Sequence, residues 1–180
     1  MFTKDIYSSR RAALKKELKN GIAFFPANNE GPYNYPDNTY IYRQDSNFSY
    51  FFRLHHPDLV GVIDFDSGEE MLFGREVTID DVIWCGPLPS LKEQGDMIGV
   101  SDVRDFGKFG DFIQQALAKG RTVHLLPTYR GDTLIQCSKW LNTPIDNVAD
   151  FSSMALIKAV VKLREIKSDI EIAELEKAAN

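Results

Sequence analysis

The segment Gly21-Ile22-Ala23-Phe24-Phe25, closed by Pro26, constrains this chain more than any other. It is too short for a helix and apolar at every position after the glycine, so it reads as a strand buried on both faces, central in its sheet. A strand of that kind needs a layer of structure on each side. The neighbouring sequence supplies candidates. Thr3 suits the cap of a helix running to about Lys19, with Asp5 near its positive end and Asn20-Gly21 suited to a left-handed turn. Ile6, Leu14 and Leu18 mark the inner side of that helix, and Arg10, Arg11, Lys15, Lys16 and Lys19 its solvated outer side.

Beyond the first strand, Asn28 to Asn38 collects Asn, Gly, Pro and Asp and reads as a long surface loop carrying Tyr33, Tyr35 and, at its end, Tyr40. Leu59-Val60-Gly61-Val62-Ile63 and Met71-Leu72-Phe73 flank Asp66-Ser67-Gly68 and predict an antiparallel hairpin. An acidic segment at Asp80-Asp81 precedes a break at Pro87 and Pro89 that isolates Trp84, and Ser90 then caps a helix toward Met97. A strand at Val100–Val103, a helix from Phe109 to Lys119, a strand at Thr122–Leu126 and a helix from Asp132 to Leu141 follow. This alternation implies a layered α/β domain, a mixed sheet flanked by helices. Ser152-Ser153 opens a helix through Met154 to about Val161, and Ser168 with Glu171 forms a capping box for another, with Ile172, Ala173 and Leu175 on it. Residues 1–161 are therefore taken as one domain, and 162–180 as a linker and the start of a segment that continues beyond it.

Composition limits the function classes. With 21 Lys and Arg against 26 Asp and Glu, the net charge of −5 argues against a nucleic-acid binder, which needs a basic face. No apolar run approaches membrane-spanning length, and the start Met1-Phe2-Thr3-Lys4-Asp5 lacks the features of a secretory signal, so a cytoplasmic location is expected. Cys85 and Cys137 have no companion at metal or redox spacing and read as reduced thiols.

Reactive constellations are scarce. His55 and His56 are adjacent before Pro57 and fit a surface turn, while His124 sits in an apolar strand, where a satisfied structural histidine is the better reading than a catalytic base. Asp64 and Asp66 lack the third ligand and distal Glu of a calcium loop. No metallopeptidase helix motif, nucleophile elbow, phosphate loop or dinucleotide fingerprint occurs. The residues describe a packed α/β domain without a self-contained active site: no catalytic residue, no metal ligand and no cofactor are assigned to it.

One segment is more specific. Tyr42-Arg43-Gln44-Asp45-Ser46-Asn47-Phe48-Ser49-Tyr50-Phe51 resembles the Y-R-Q-x-S-x-F-x-Y-F segment of aminopeptidase P amino-terminal domains. Supporting resemblances run in the same order: Pro57 to Ile63, Phe73-Gly74-Arg75, Ile83-Trp84-Cys85-Gly86, and the tail Arg164-Glu165-Ile166-Lys167-Ser168 continuing to Glu171-Ile172-Ala173. Phe52-Arg53 stands where relatives often carry Thr-Gly, and Gly86-Pro87-Leu88 replaces a basic stretch.

The resemblance implies the three-layer fold of creatinase and prolidase amino-terminal domains, with an RNase H-like motif. It also implies a following pita-bread domain that holds two divalent metals, commonly manganese, and hydrolyses the bond before a proline in the second position of a peptide. By the same resemblance the chain's partners are that catalytic domain and further copies in a homodimer or homotetramer, with no nucleic acid and no membrane. Trp84 resembles a wall supplied to a neighbouring subunit's cleft, a buried core tryptophan being the alternative. Tyr42, Arg43, Gln44, Ser46, Phe48 and Tyr50 are expected to be architectural, with Arg43 offering its fork to a carboxylate or to loop carbonyls and Tyr42, Phe48 and Tyr50 packed around it. A domain of an Xaa-Pro dipeptidase, or a non-catalytic peptide- or protein-binding module, are the competing readings.

Overall fold

The computed structural model describes residues 2–179; Met1 and Asn180, outer bounds of the two expected segments, lie outside them. In chain order the elements are α1 (Lys4–Glu17), β1 (Ile22–Pro26), β2 (Pro32–Tyr35), β3 (Asn38–Thr39), α2 (Ser46–Phe52), β4 (Leu59–Asp64) and β5 (Glu70–Gly74). There follow α3 (Ile79–Cys85), α4 (Leu91–Ile98), β6 (Asp102–Asp105), α5 (Phe109–Ala118), β7 (Val123–His124), α6 (Gly131–Leu141), α7 (Met154–Glu165) and α8 (Asp169–Ala179).

The main sheet has the order β6-β5-β4-β1-β7, so β1 is an interior strand. It pairs antiparallel with β4, Phe24 opposite Val62, and parallel with β7. The β4–β5 hairpin forms as its turn residues dictate, and β6 extends the sheet parallel to β5. Side chains alternate between two cores, as the twofold repeat of a strand requires. Ala23, Phe25, Leu59, Ile63 and Leu72 face Leu14, Phe48, Phe51, Phe52, Ile98 and Leu156, from helices α1, α2, α4 and α7. Ile22, Phe24, Val60, Val62, Met71 and Phe73 face Phe109, Ile113, Cys137 and Leu141 from α5 and α6. The result is a three-layer mixed sheet flanked by helices.

The left-handed turn before β1 falls at Gly21, with φ +85°. A Cβ there would lie 2.6 Å from the Thr122 carbonyl oxygen and 2.7 Å from the His124 ring, so conformation and space both demand glycine. α1 ends at Leu18, ahead of that turn, and Thr3 occupies its N-cap position without a side-chain hydrogen bond. Two expectations need correction. Residues 28–38 are not wholly irregular: β2 and β3 pair in a small exposed hairpin around Pro36-Asp37, with the Tyr33 and Tyr40 rings edge-on at 5.1 Å. Turn-forming residues mask so short a ladder, because it needs few backbone bonds and no core.

Arg11, placed on the solvated face of α1, is instead fully buried. Its Nε donates to Glu70 at 2.7 Å, and its terminal nitrogens donate to the Phe51 and Ile98 carbonyls at 2.8 Å each. Every polar atom of the fork is aimed at an acceptor, which offsets the desolvation of the charge. Helix α7 begins at Met154 and runs past Val161 to Glu165.

Candidate functional site

The signature segment folds as a turn and then a helix. Asp45 is the N-cap of α2, its Oδ1 accepting from the Asn47 and Phe48 amides at 2.8 and 2.9 Å. Preceding it, Gln44 is buried with its whole hydrogen-bonding capacity used. Oε1 accepts from the amides of Asn28 (2.8 Å) and Asp45 (2.9 Å), while Nε2 donates to the carbonyls of Leu54 (3.1 Å) and His56 (3.0 Å). Gln44 thus fastens the start of the hairpin loop to the segment entering β4. Tyr42 donates its hydroxyl to the Asn28 carbonyl at 3.0 Å, and its ring meets His55 edge-on at 5.3 Å. Burial pushes the Tyr42 phenol well above its ordinary pKa, so it stays a donor. Phe48 is fully buried and stacks on Phe52.

Arg43 departs from the expected role. Its side chain is exposed and makes no hydrogen bond or ion pair among the described residues; only its carbonyl is engaged, by Asn28 Nδ2 at 2.9 Å. Ser46, the first residue of α2, is likewise exposed. The segment divides into an inward set (Tyr42, Gln44, Phe48, Tyr50) and an outward pair (Arg43, Ser46).

Tyr50 connects the segment to the tail. Its hydroxyl donates to the Leu163 carbonyl at 3.0 Å, near the end of α7. The Arg10 guanidinium lies 4.0 Å from the Tyr50 ring centre, donates to the Tyr50 carbonyl at 3.0 Å and pairs with Glu171 of α8 at 2.9 Å. Arg164 donates to Asn47 and lies 5.4 Å from the same ring. Sequence reasoning missed Arg10 and Asn28 as partners of this segment, because a basic helix face and a loop asparagine carry no distinctive signal.

Trp84 lies elsewhere. Thr78 and Asp81 form a capping box that starts α3, a helix without a single buried residue. Trp84 is 86% exposed, beside Ile83 at 69% and Ile79 at 80%, and lies outside the two cores on either side of the sheet. Behind the helix is a recess of about 360 Å³ lined by Asp81, Cys85, Leu88, His56, Asp58 and Glu30 among others. The helix therefore presents an indole and aliphatic side chains outward above a partly acidic cleft.

His124, His56 and Cys137 are engaged or enclosed by the fold. His124 is buried between Ser153 Oγ, 2.7 Å from Nδ1, and the Asn20 carbonyl, 3.1 Å from Nε2, so both ring nitrogens are engaged. His56 lies 2.7 Å from Gln94 through Nε2, and Cys137 is buried, its thiol pushed up to about 12 by loss of water. No group of three or more His, Cys, Asp or Glu among the described residues is placed to hold a metal ion. The donor set present here does not fit a two-metal cage. No helix among the described residues is long and apolar enough to cross a membrane.

Comparison with known proteins places this geometry. The family model described as aminopeptidase P, N-terminal domain, matches residues 7–125. Human Xaa-Pro dipeptidase is 28% identical over 141 residues, covering 77% of this chain and 28% of that protein; the rat protein is 26% identical over the same length. Among solved structures, a variant of Escherichia coli aminopeptidase P superposes with a TM-score of 0.78 at 24% identity, covering 98% of this chain and 42% of that one. Pseudomonas aeruginosa aminopeptidase PepP gives 0.67 at 26% identity, covering 84% and 35%. The chain thus spans between about a quarter and two fifths of the length of these relatives.

Proposed function

This chain belongs to the aminopeptidase P N-terminal domain family, and we propose that it is the non-catalytic part of a cytoplasmic, manganese-dependent Xaa-Pro aminopeptidase, shaping the substrate cleft and supporting oligomerisation. Residues 1–161 form the domain, and 162–180 lead into a catalytic domain that holds the metals. The assembly is a homodimer or homotetramer, and the substrate is a peptide with proline in its second position.

The observation that carries the reading is Trp84, 86% exposed on a helix that buries nothing of its own. A flat indole suits the face of a proline ring, and a core role would have hidden it. In the assembled enzyme Trp84 stands in a neighbouring subunit's cleft. The mechanism assigned to this chain is positioning: the indole walls the pyrrolidine ring and excludes water beside the scissile bond, while the bond-breaking groups belong to the catalytic domain.

The test is kinetic. Residues 1–180 alone should cleave no Xaa-Pro peptide with manganese present, and the full-length protein should. Trp84→Ala in the full-length protein should lower kcat/KM at least tenfold with an unchanged unfolding midpoint; wild-type kinetics in that variant would return Trp84 to a passive surface role. A second reading, a domain of an Xaa-Pro dipeptidase, draws support from the curated relatives, which are named as such. Comparing an Xaa-Pro dipeptide with an Xaa-Pro-Yaa tripeptide as substrates separates the two.

A further inference from the structure

Asn20 is the one asparagine in the sequence that precedes a glycine, and it stands exposed in the turn between α1 and β1. Asparagine is a chemically labile residue, and the reaction it undergoes is internal to the chain. The amide nitrogen of the following residue loses its proton and attacks the side-chain Cγ. A C–N bond forms, ammonia leaves, and water opens the resulting succinimide at either carbonyl to give aspartate or isoaspartate. Glycine favours the attack, having no Cβ to block the approach. What decides the fate of Asn20-Gly21 is therefore whether the peptide group between the two residues can turn.

That group is held at both ends. The Gly21 N–H donates to Asp66 Oδ1 at 3.1 Å, and the Asn20 carbonyl oxygen lies 3.1 Å from His124 Nε2. The flanking backbone is fixed as well: the Gly21 carbonyl accepts from the Phe65 amide and the Ile22 amide donates to the Thr122 carbonyl, both at 2.9 Å. The holding groups are anchored in turn. Asp66 Oδ2 accepts from Arg121 Nε at 3.0 Å, and His124 Nδ1 is 2.7 Å from Ser153 Oγ. Ring closure requires the Gly21 nitrogen to give up its proton and swing toward Asn20 Cγ, which breaks the bond to Asp66. A carboxylate accepting from that N–H also opposes the loss of its proton. We propose that Asn20 is a modification site of this protein, latent while the Arg121-Asp66 latch holds the Gly21 amide and converted to aspartate or isoaspartate when the latch opens. Isoaspartate adds a methylene to the backbone, and aspartate adds a negative charge one residue from the amide that Asp66 holds, so both products oppose reclosure. The site thereby records past opening of the turn that leads into β1, the interior strand of the sheet.

The experiment incubates the protein at pH 8, with and without denaturing urea, and follows the replacement of the side-chain amide by a carboxyl at Asn20 by peptide mass spectrometry. The expected result is deamidation at least tenfold slower in the native protein than in urea. Under native conditions Asp66→Ala should react at Asn20 at least tenfold faster than wild type, with the other asparagines unchanged. Arg121→Met, which leaves the Asp66 carboxylate in place without its anchor, should fall between the two. Equal rates in native protein and in urea overturn the proposal, as do equal rates in wild type and a folded Asp66→Ala. A measurement on the unsubstituted protein keeps the idea exposed even where a variant fails to fold: the Gly21 amide should exchange with solvent deuterium at least tenfold slower in the native protein than in urea, and exchange at the urea rate refutes the latch.

Discussion

Gln44→Leu tests whether the signature segment is architectural. The substitution keeps the volume approximately and deletes four hydrogen bonds, two accepted by Oε1 and two donated by Nε2. Asn28 and Leu54 are buried, so one amide and one carbonyl lose their partner away from water, at about 1–3 kcal/mol each. The Asp45 amide and the His56 carbonyl lie nearer the surface and regain water, at about 0.5 kcal/mol each. The sum is about 3–7 kcal/mol, a large share of the roughly 5–15 kcal/mol that holds a domain folded. Urea unfolding followed by circular dichroism gives the difference from the midpoint at constant slope. Arg43→Ala, one residue away, should stay within about 0.5 kcal/mol of wild type, because its exposed side chain holds no partner among the described residues. A Gln44→Leu loss below about 1 kcal/mol, or equal losses at both positions, would refute the division into inward and outward residues.

Three further outcomes are expected. A thiol reagent at pH 8 should titrate Cys85, which is exposed, while Cys137 reacts only on unfolding, because burial pushes its thiol up to about 12; two fast thiols in the native protein would contradict the packing of α6. Burial would raise the Asp64 carboxyl, but the Arg121 fork at 2.6–2.9 Å and the amides of Ser67 and Asp66 hold it below the ordinary carboxylate value. A depressed carboxylate adds stability that is present above its unfolded pKa of about 4 and lost as pH falls through the folded value, so Arg121→Met should flatten the loss of stability below about pH 4; an unchanged acid profile would rule this out. Gly61→Ala in β4 would set a methyl 2.3 Å from the Phe52 ring and should destabilise by about 1–3 kcal/mol, measured by thermal unfolding, with a neutral result counting against the seat of α2 on the sheet.

The layers were legible because periodicity reports burial. The apolar run at Ile22–Phe25 and the runs beside Gly68 become β1, β4 and β5, and the helices of the second half lie within a few residues of their caps. Helix α2 went unread, since Phe48, Tyr50, Phe51 and Phe52 are aromatics that favour strands and only Asp45 announces the cap. Of the site, Tyr42, Gln44 and Tyr50 could be named, but not what they hold. Asn28 is 16 residues from Gln44, and Leu163 is 113 from Tyr50, distances across which one sequence carries no pairing signal. Trp84 was ambiguous for a different reason: Ile79, Val82, Ile83 and Trp84 are the residue types of a core helix, and only the packing leaves them outside.

The basic run of α1 also acquires a physical explanation. A helix of seven residues leaves its last carbonyls without intrahelical partners, and α2 ends inside the domain, where water does not satisfy them all. Arg10 donates to the Tyr50 carbonyl and Arg11 to the Phe51 carbonyl, so two consecutive arginines cap two consecutive orphan groups and bring positive charge to the negative end of the helix dipole. Being adjacent on α1, they then diverge by about 100°, the turn per residue of a helix. Arg11 goes inward to Glu70 and the Ile98 carbonyl, and Arg10 outward to Glu171. Arg10, one of the two arginines that close α2, thereby also ties α8 through Glu171 to the segment that carries the family signature.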